Sequence, residues 1–580
     1  MGEGKSSLRN LIAAAAGRIK ADLVIKNCRI VNVLSGEITS GEVAIYDGKI
    51  IGMGATEYDG KEIFDADGKF LAPGFIDGHI HIESSYISPE QLGRIIVPCG
   101  TTSIIADPHE IANVCGLKGL RYMLDAAKRT KLNIVYAMPS CVPATPFEDA
   151  GAVIEAADMA ELLGDENFFG LGEFMNAPGI INCDDKALDK ILLAKKLGKL
   201  IDGHAPKLTG KDLNAYLSAG VGSDHECTTV EEMHERIAKG MYVLIREGSA
   251  CHDLKTLIKG VTPANSRRVL LCSDDCQPKT ILERGHMNKN IRMCVAEGLD
   301  PITAIQMATI NAAESVGIHD RGFIGIGAHA DLVLLDDLEN FRVDKVWIGG
   351  ELVAQSGKYL PKIIPADFSS VRGSVKVKNF SVDRLKMHLA SDKVNVIKIL
   401  PGGVVSKKII AKVKRDKTGD FIFDSAQDIC KVAVIERHHE TGKIGLGFLS
   451  GYGIKRGAIA VSVAHDSHNI IAAGVSNEEI FCAVEALIKM EGGMVLVKGG
   501  KIISMIPLLI AGLMSDLTGE QLKEKLDALH EKAHVELEIS KDVEPVMTLT
   551  FMSLPVIPEL KLTARGLFDY DSFKFISLEA

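Results

Sequence analysis

Two histidines separated by a single isoleucine, His79 and His81, stand in the stretch Gly74-Phe-Ile-Asp-Gly-His-Ile-His-Ile-Glu-Ser84. Residues two apart on a strand project from the same face. Both imidazoles would therefore face one way, with Ile80 and Ile82 packed behind. A pair of imidazoles on a rigid strand can grip a borderline divalent metal. The same spacing also suits an edge strand with two solvent-facing histidines, so further ligands are needed. They come later, each closing an apolar run: Glu173 in Gly-Leu-Gly-Glu, His204 in Asp-Gly-His, His225 in Ser-Asp-His-Glu and Asp274 in Ser-Asp-Asp. Together His79, His81, Glu173, His204, His225 and Asp274 suit a pair of divalent ions. Glu173, with two oxygens to share, is the natural bridge. Singly these residues have plainer readings, Glu173 as an ion-pair partner and His204 as a loop histidine. Asp224 or Glu226 could act in place of His225, and Asp275 in place of Asp274.

Residues so far apart in sequence need a frame that brings them together. From about residue 70 to 326, strand-like and helix-like segments alternate. The candidate strands are GFIDGHIHIE, TTSIIADP, NIVYAMPSC, FFGLGEFM, KLIDGHA, AGVGSDHE, YVLIREGS and RVLLCSDD. Alternation implies a parallel sheet, and eight such units predict an α/β fold, a (β/α)8 barrel with its active site at the C-terminal ends of the strands. Charged residues stand at almost every one of those ends.

A short helix is expected over residues 7–20. Residues 21–54 then alternate apolar and polar side chains between Ser-Gly and Asp-Gly turns, a hairpin pattern, and a similar segment returns at 327–357. The economical reading is one small β-sandwich, 1–70 with 327–365, around an inserted barrel, 71–326. Residues 366–580 form an α+β region. In it Ser476-Asn-Glu-Glu479 and Thr518-Gly-Glu-Gln521 read as capping boxes that open helices. The stretch His465-Asp-Ser-His-Asn469 either reaches the barrel mouth, closing the substrate site or supporting an oligomer contact, or is a turn rich in Asx and Ser hydrogen bonds. His438 and His439, before a Thr-Gly turn, read as surface residues.

Composition bounds the partners. With 66 basic against 76 acidic residues and no long basic run, nucleic-acid binding is not expected. The 12 cysteines lack a CxxC pair and read as reduced, which fits a cytoplasmic setting. The apolar run Leu11–Ala16 is too short for a signal-peptide core, and that near Met505–Met514 is about half of what a membrane helix needs. Gly2-Glu-Gly-Lys-Ser6 lacks the upstream glycine and preceding strand of a phosphate loop.

The motifs PGFIDGHIHIESS, ADPHEIANVCG, GLGEFMN, DGHAP, SDHE and LCSDD, with AHDSHNIIAAG and PLLIAGLMSD near the end, resemble the amidohydrolase superfamily and, within it, the bacterial and archaeal adenine deaminase family. The resemblance covers nearly the whole chain. Many superfamily members bridge their metals with a modified lysine from strand four. Glu173 stands at the corresponding place, as in the adenine deaminase type.

The resemblance implies two divalent ions, manganese or iron, with zinc compatible. It implies purine salvage or catabolism: adenine plus water gives hypoxanthine and ammonia, through attack of a metal-activated hydroxide on the amine-bearing ring carbon. Asp274 would be both ligand and proton acceptor, returning the proton to the leaving ammonia. Glu83 could donate to the ring or position it. His109 and Glu110 would face the mouth as catalytic or substrate residues, unless Glu110 only answers a helix dipole. Ser84 and Ser85 would cap the next helix. His465 and Asp466 would touch the substrate. A homo-oligomer, dimer or larger, is expected, and no membrane partner. The competing readings are an amidohydrolase acting on a cyclic amide or N-acetyl group, and a barrel kept only as a scaffold.

Overall fold

The computed structural model describes residues 2–580. Eight short strands carry the site: β1 (Phe75–Ile80), β2 (Thr101–Ala106), β3 (Asn133–Met138), β4 (Phe168–Phe174), β5 (Leu200–Gly203), β6 (Ser223–Asp224), β7 (Tyr242–Arg246) and β8 (Val269–Cys272). Each lies within one of the runs read from the sequence. β1 to β5 pair in order and in parallel, as do β6 to β8. Two contacts close the ring. The Gly222 N–H donates to the Ile201 carbonyl at 3.0 Å between β5 and β6, and the Asp274 N–H to the His79 carbonyl at 3.0 Å between β8 and β1. Ile76, Ile105, Leu244 and Leu270 form one apolar cluster from four of these strands. The helices between them bury a second apolar layer outside the sheet.

Strands before and after the barrel share one nine-stranded sheet. Its seam is the antiparallel pairing of Phe70–Pro73 with Leu332–Leu335, Pro73 opposite Leu332 and Phe70 opposite Leu335. The chain thus enters β1 and returns from the last barrel helix at adjacent points.

The first helix spans Gly2–Ala15 rather than 7–20. It stops early because Gly17 takes a left-handed conformation (φ 70°) and the Arg18 N–H turns back to the Ala13 carbonyl at 2.8 Å. Ser84 and Ser85 do not cap the next helix. They lie in a buried 3-10 turn, and the helix Pro89–Ile96 starts after Ser88.

The C-terminal region is built on an eight-stranded, mostly antiparallel sheet with Asn477–Lys489 packed on one face. Only half a capping box forms there. Ser476 accepts the Glu479 N–H at 3.2 Å, while the Glu479 carboxylate turns to the Gly500 N–H. Thr518 and Gln521 make both bonds at the start of Gly519–Val535. The apolar stretch Met505–Met514 begins in the last residues of the strand Lys501–Pro507 and runs on into turns, not a helix. Among the described residues no helix is long and apolar enough to cross a membrane.

Candidate active site

β1 delivers two buried imidazoles whose Nε2 atoms stand 3.2 Å apart. His81 Nδ1 lies 3.0 Å from the Asp107 carbonyl oxygen, so Nδ1 carries the proton and Nε2 keeps a lone pair. His79 Nδ1 is held in the same sense by Asp202 Oδ2 at 3.3 Å. Two lone pairs so close repel unless a cation or a shared proton stands with them. A carboxylate behind a ligating imidazole is a common companion of a metal site.

Glu173 ends β4 with its N–H on Asp107 Oδ2 at 3.0 Å. Gly172 precedes it because a side chain there would collide with the Asp107 carboxylate. The two oxygens of Glu173 face different groups. Oε1 is 3.3 Å from His81 Nε2, 3.3 Å from His109 Nδ1 and 3.9 Å from His79 Nε2. Oε2 is 2.7 Å from His204 Nδ1 and 3.2 Å from His225 Nε2. Burial pushes this carboxyl up, but the His204 and His225 rings overcome it and hold it well below the usual carboxylate range.

Asp274 follows β8 with a left-handed backbone (φ 57°), a costly conformation that such sites often retain. Oδ1 is 3.3 Å from His81 Nε2, and Oδ2 is 3.2 Å from Arg246 Nη1. The six candidate ligands therefore meet at the barrel mouth. The alternatives lie differently. Asp275 Oδ1 accepts a 2.5 Å hydrogen bond from Ser84 Oγ. Asp224 is fully buried against Arg236 and accepts the Ala205 N–H at 3.0 Å. Glu226 stays beside the cluster, 3.4 Å from His225 Nε2 and paired with Arg246.

The residues fit metal ions on their own chemistry. Both ring nitrogens of His204 and Nδ1 of His225 are buried without an aligned hydrogen-bond partner. Imidazole nitrogens that can give up their protons, beside carboxylate oxygens, form a donor set for divalent transition metals.

Around these groups, acids and an imidazole of the barrel meet His465, Asp466 and His468 of the C-terminal region. Glu110, in the first turn of His109–Cys115, accepts from His465 Nδ1 at 2.7 Å and from His468 Nε2. The Ala464 N–H donates to His468 Nδ1 at 3.2 Å, which fixes the proton on Nε2. Burial lowers His468 to about 4, so this ring is neutral. His109 Nε2 lies 3.6 Å from Glu110 Oε1 and 3.9 Å from Asp466 Oδ1. Glu83 is buried, with Oε1 on the Ile111 N–H at 3.0 Å and Oε2 without a partner.

His438 is not a surface residue. It is buried, its Nε2 2.7 Å from the Ser467 carbonyl, because the loop carrying His465 folds over it. His439 lies 2.9 Å from the Ala150 carbonyl. Sequence reasoning missed Arg246, which joins Asp274, Glu226 and Asp253, and Asp202 behind His79. The signal for Arg246 was present, a charge closing the apolar run of β7.

Residues 70–353 match the family model described as the amidohydrolase family, and residues 403–574 that of the adenine deaminase C-terminal domain. A protein of Desulfotalea psychrophila named adenine deaminase 2 is 59% identical over 576 residues, covering 99% of this chain and 100% of that protein. The adenine deaminase of Ligilactobacillus salivarius is 52% identical over 575 residues, covering 99% of each chain. One from Nitratidesulfovibrio vulgaris is 48% identical over 571 residues, covering 98% of this chain and 99% of that one. With barrel, flanking sheet and C-terminal region all inside these matches, the chain belongs to the adenine deaminase family of the amidohydrolases.

Proposed function

We propose that this enzyme hydrolyses adenine to hypoxanthine and ammonia, with two divalent ions held by His79, His81, Glu173, His204, His225 and Asp274. The observation that carries the reading is the division of Glu173, one oxygen toward His79 and His81, the other toward His204 and His225. An ion bound there supplies Lewis acidity, bringing the pKa of a water molecule toward neutrality.

The chain's own residues do the rest. Asp274 takes the proton that the attacking water gives up and passes it to the amine leaving as ammonia. Arg246, 3.2 Å from Oδ2, sets the rotation of that carboxylate. Burial pushes the Glu83 carboxyl up to about 7, so near neutrality it holds a proton to offer a ring nitrogen through Oε2. His109 and Glu110 line the approach, and His465 with Asp466 closes it from above. Manganese or iron as the ions, a homo-oligomer, a cytoplasmic setting and the domain division 1–70 with 327–365, 71–326 and 366–580 belong to the same reading.

The test is ammonia release from a nucleobase panel by protein stripped of metal and reloaded with Mn²⁺, Fe²⁺ or Zn²⁺. Release from adenine only after reloading is expected. Two bound ions with no release from any base would move the assignment to cyclic-amide hydrolysis, and no bound ion would leave a scaffold. Sedimentation checks the oligomer.

A further inference from the structure

A cavity of about 930 Å³ opens beside His204, lined by the loop after β3 and, from the far end of the chain, by Arg565, Tyr570 and Phe573. Glu148 lies on its wall and is 3% exposed. One oxygen is committed: Oε2 accepts the Thr145 N–H at 3.1 Å and the Thr145 hydroxyl at 2.9 Å. The other, Oε1, is buried with no hydrogen-bond partner. A buried oxygen in that state is costly, and such groups call for an explanation.

The loop that carries it is firmly held. Arg565 forks onto Asp149 (Nε to Oδ2 3.0 Å, Nη2 to Oδ1 2.9 Å) and donates to the Pro146 and Glu148 carbonyls at 2.8 and 2.7 Å. Lys443 reaches Asp149 at 2.8 Å, and Asn469 Nδ2 donates to the Asp149 carbonyl at 3.0 Å. A half-satisfied carboxyl anchored from two regions of the chain is arranged for a group that completes it. The charge it faces is Asp466, next to His465 on the wall over the proposed substrate. Burial, then that charge, outweighs the lowering pull of the Thr145 hydrogen bonds and of the Asp466 main chain and pushes Glu148 up to about 8. With two donors on Oε2, Oε1 is the oxygen left to carry the proton and donate it.

We propose that Glu148 recognises the substrate, its Oε1–H donating to N3 or N7 of the purine, the ring acceptors not bonded to the amine-bearing carbon. The inference rests on the adenine reading above and deepens it. Such a bond forms in ground state and transition state alike, so its loss raises KM more than it lowers kcat.

The experiment compares metal-loaded full-length enzyme with Glu148→Leu and Glu148→Gln on adenine, 3-deazaadenine and 7-deazaadenine, with urea midpoints and metal content as controls. Leu is expected to raise the adenine KM about ten- to hundredfold. Gln places an NH₂ donor at the same spot and should stay within about threefold of wild type. For the deaza analogue lacking the accepted nitrogen, wild type and the Leu variant should be equal. An unchanged KM in the Leu variant would overturn the proposal, and so would a Gln variant as impaired as Leu, since that would mean an ionised acceptor. Should the Leu variant not fold, Glu148→Asp, which withdraws the carboxyl by one methylene, takes its place with the same expectations. Wild type that releases no ammonia from adenine would instead overturn the parent reading, and this one with it.

Discussion

The residue that ties the site together is Glu173. Its oxygens serve two groups of imidazoles, so Glu173→Gln replaces one of them by an amide that cannot share a cation. Metal content measured by elemental analysis and deamination should fall together in that variant, activity by at least about a hundredfold. Full occupancy with full activity would remove the bridging role. Glu110 and His465 carry a prediction about pH. Burial lowers the His465 imidazole, but the Glu110 charge and hydrogen bond outweigh it and hold the group up at about 9, above an ordinary 6.5. A histidine raised on folding stabilises the protein fully below its unfolded value, and the contribution is lost as pH rises through the folded value. The urea-midpoint gap between wild type and His465→Gln should therefore be widest below about pH 6.5 and close as pH rises through about 9. A gap that stays constant across that window would contradict the pairing. The imidazoles grouped around Glu173 were legible in the sequence because each stands at or near the end of an apolar strand. The partners of Glu110 were not, since His468 lies 358 residues away.

At the scale of elements, the loop from His465 to Asn469 depends on one buried cation. Arg437, with no exposed surface, donates to the His468 carbonyl, to Ser374 Oγ at 3.0 Å and to the Ala511 carbonyl at 3.2 Å. Arg437→Met leaves those acceptors buried without donors. It should cost about 3 kcal/mol or more in urea unfolding and impair deamination through the misplaced loop. A variant as stable and active as wild type would show that the loop holds itself. Helix starts are a milder case. Thr518 and Gln521 complete a reciprocal cap, so Thr518→Ala should cost about 1 kcal/mol, while a null effect would place that helix's stability in its packing. The two starts looked alike in sequence. They differ because Glu479 finds the Gly500 N–H, a neighbour supplied by a distant hairpin.

For the whole molecule, apolar packing is continuous between barrel and C-terminal region. One buried cluster includes Ile87, Ile95 and Ile111 of the barrel together with Leu508, Leu513, Leu522 and Met552. Main-chain pairing follows the same seam, with the Ser515 N–H on the Tyr86 carbonyl at 2.8 Å. A chain cut after residue 365 would expose that surface to water. It is expected to aggregate or bind a hydrophobic dye when expressed alone. A soluble, cooperatively unfolding fragment would show that the barrel is self-sufficient.

The sequence by itself determined the alternation of strand and helix, the eight strand ends and the residue types placed there. These are local matters of periodicity and of which side chains close an apolar run. It also carried the family likeness, because the motifs are contiguous. Tertiary structure alone decided which of two adjacent acids faces the histidines, Asp274 turning in on a left-handed backbone while Asp275 is taken by Ser84. It likewise decided that His438 is covered and that Glu148 keeps a buried oxygen without a partner. Those outcomes depend on which distant donor or charge occupies the neighbouring space, and no periodicity along the chain encodes that.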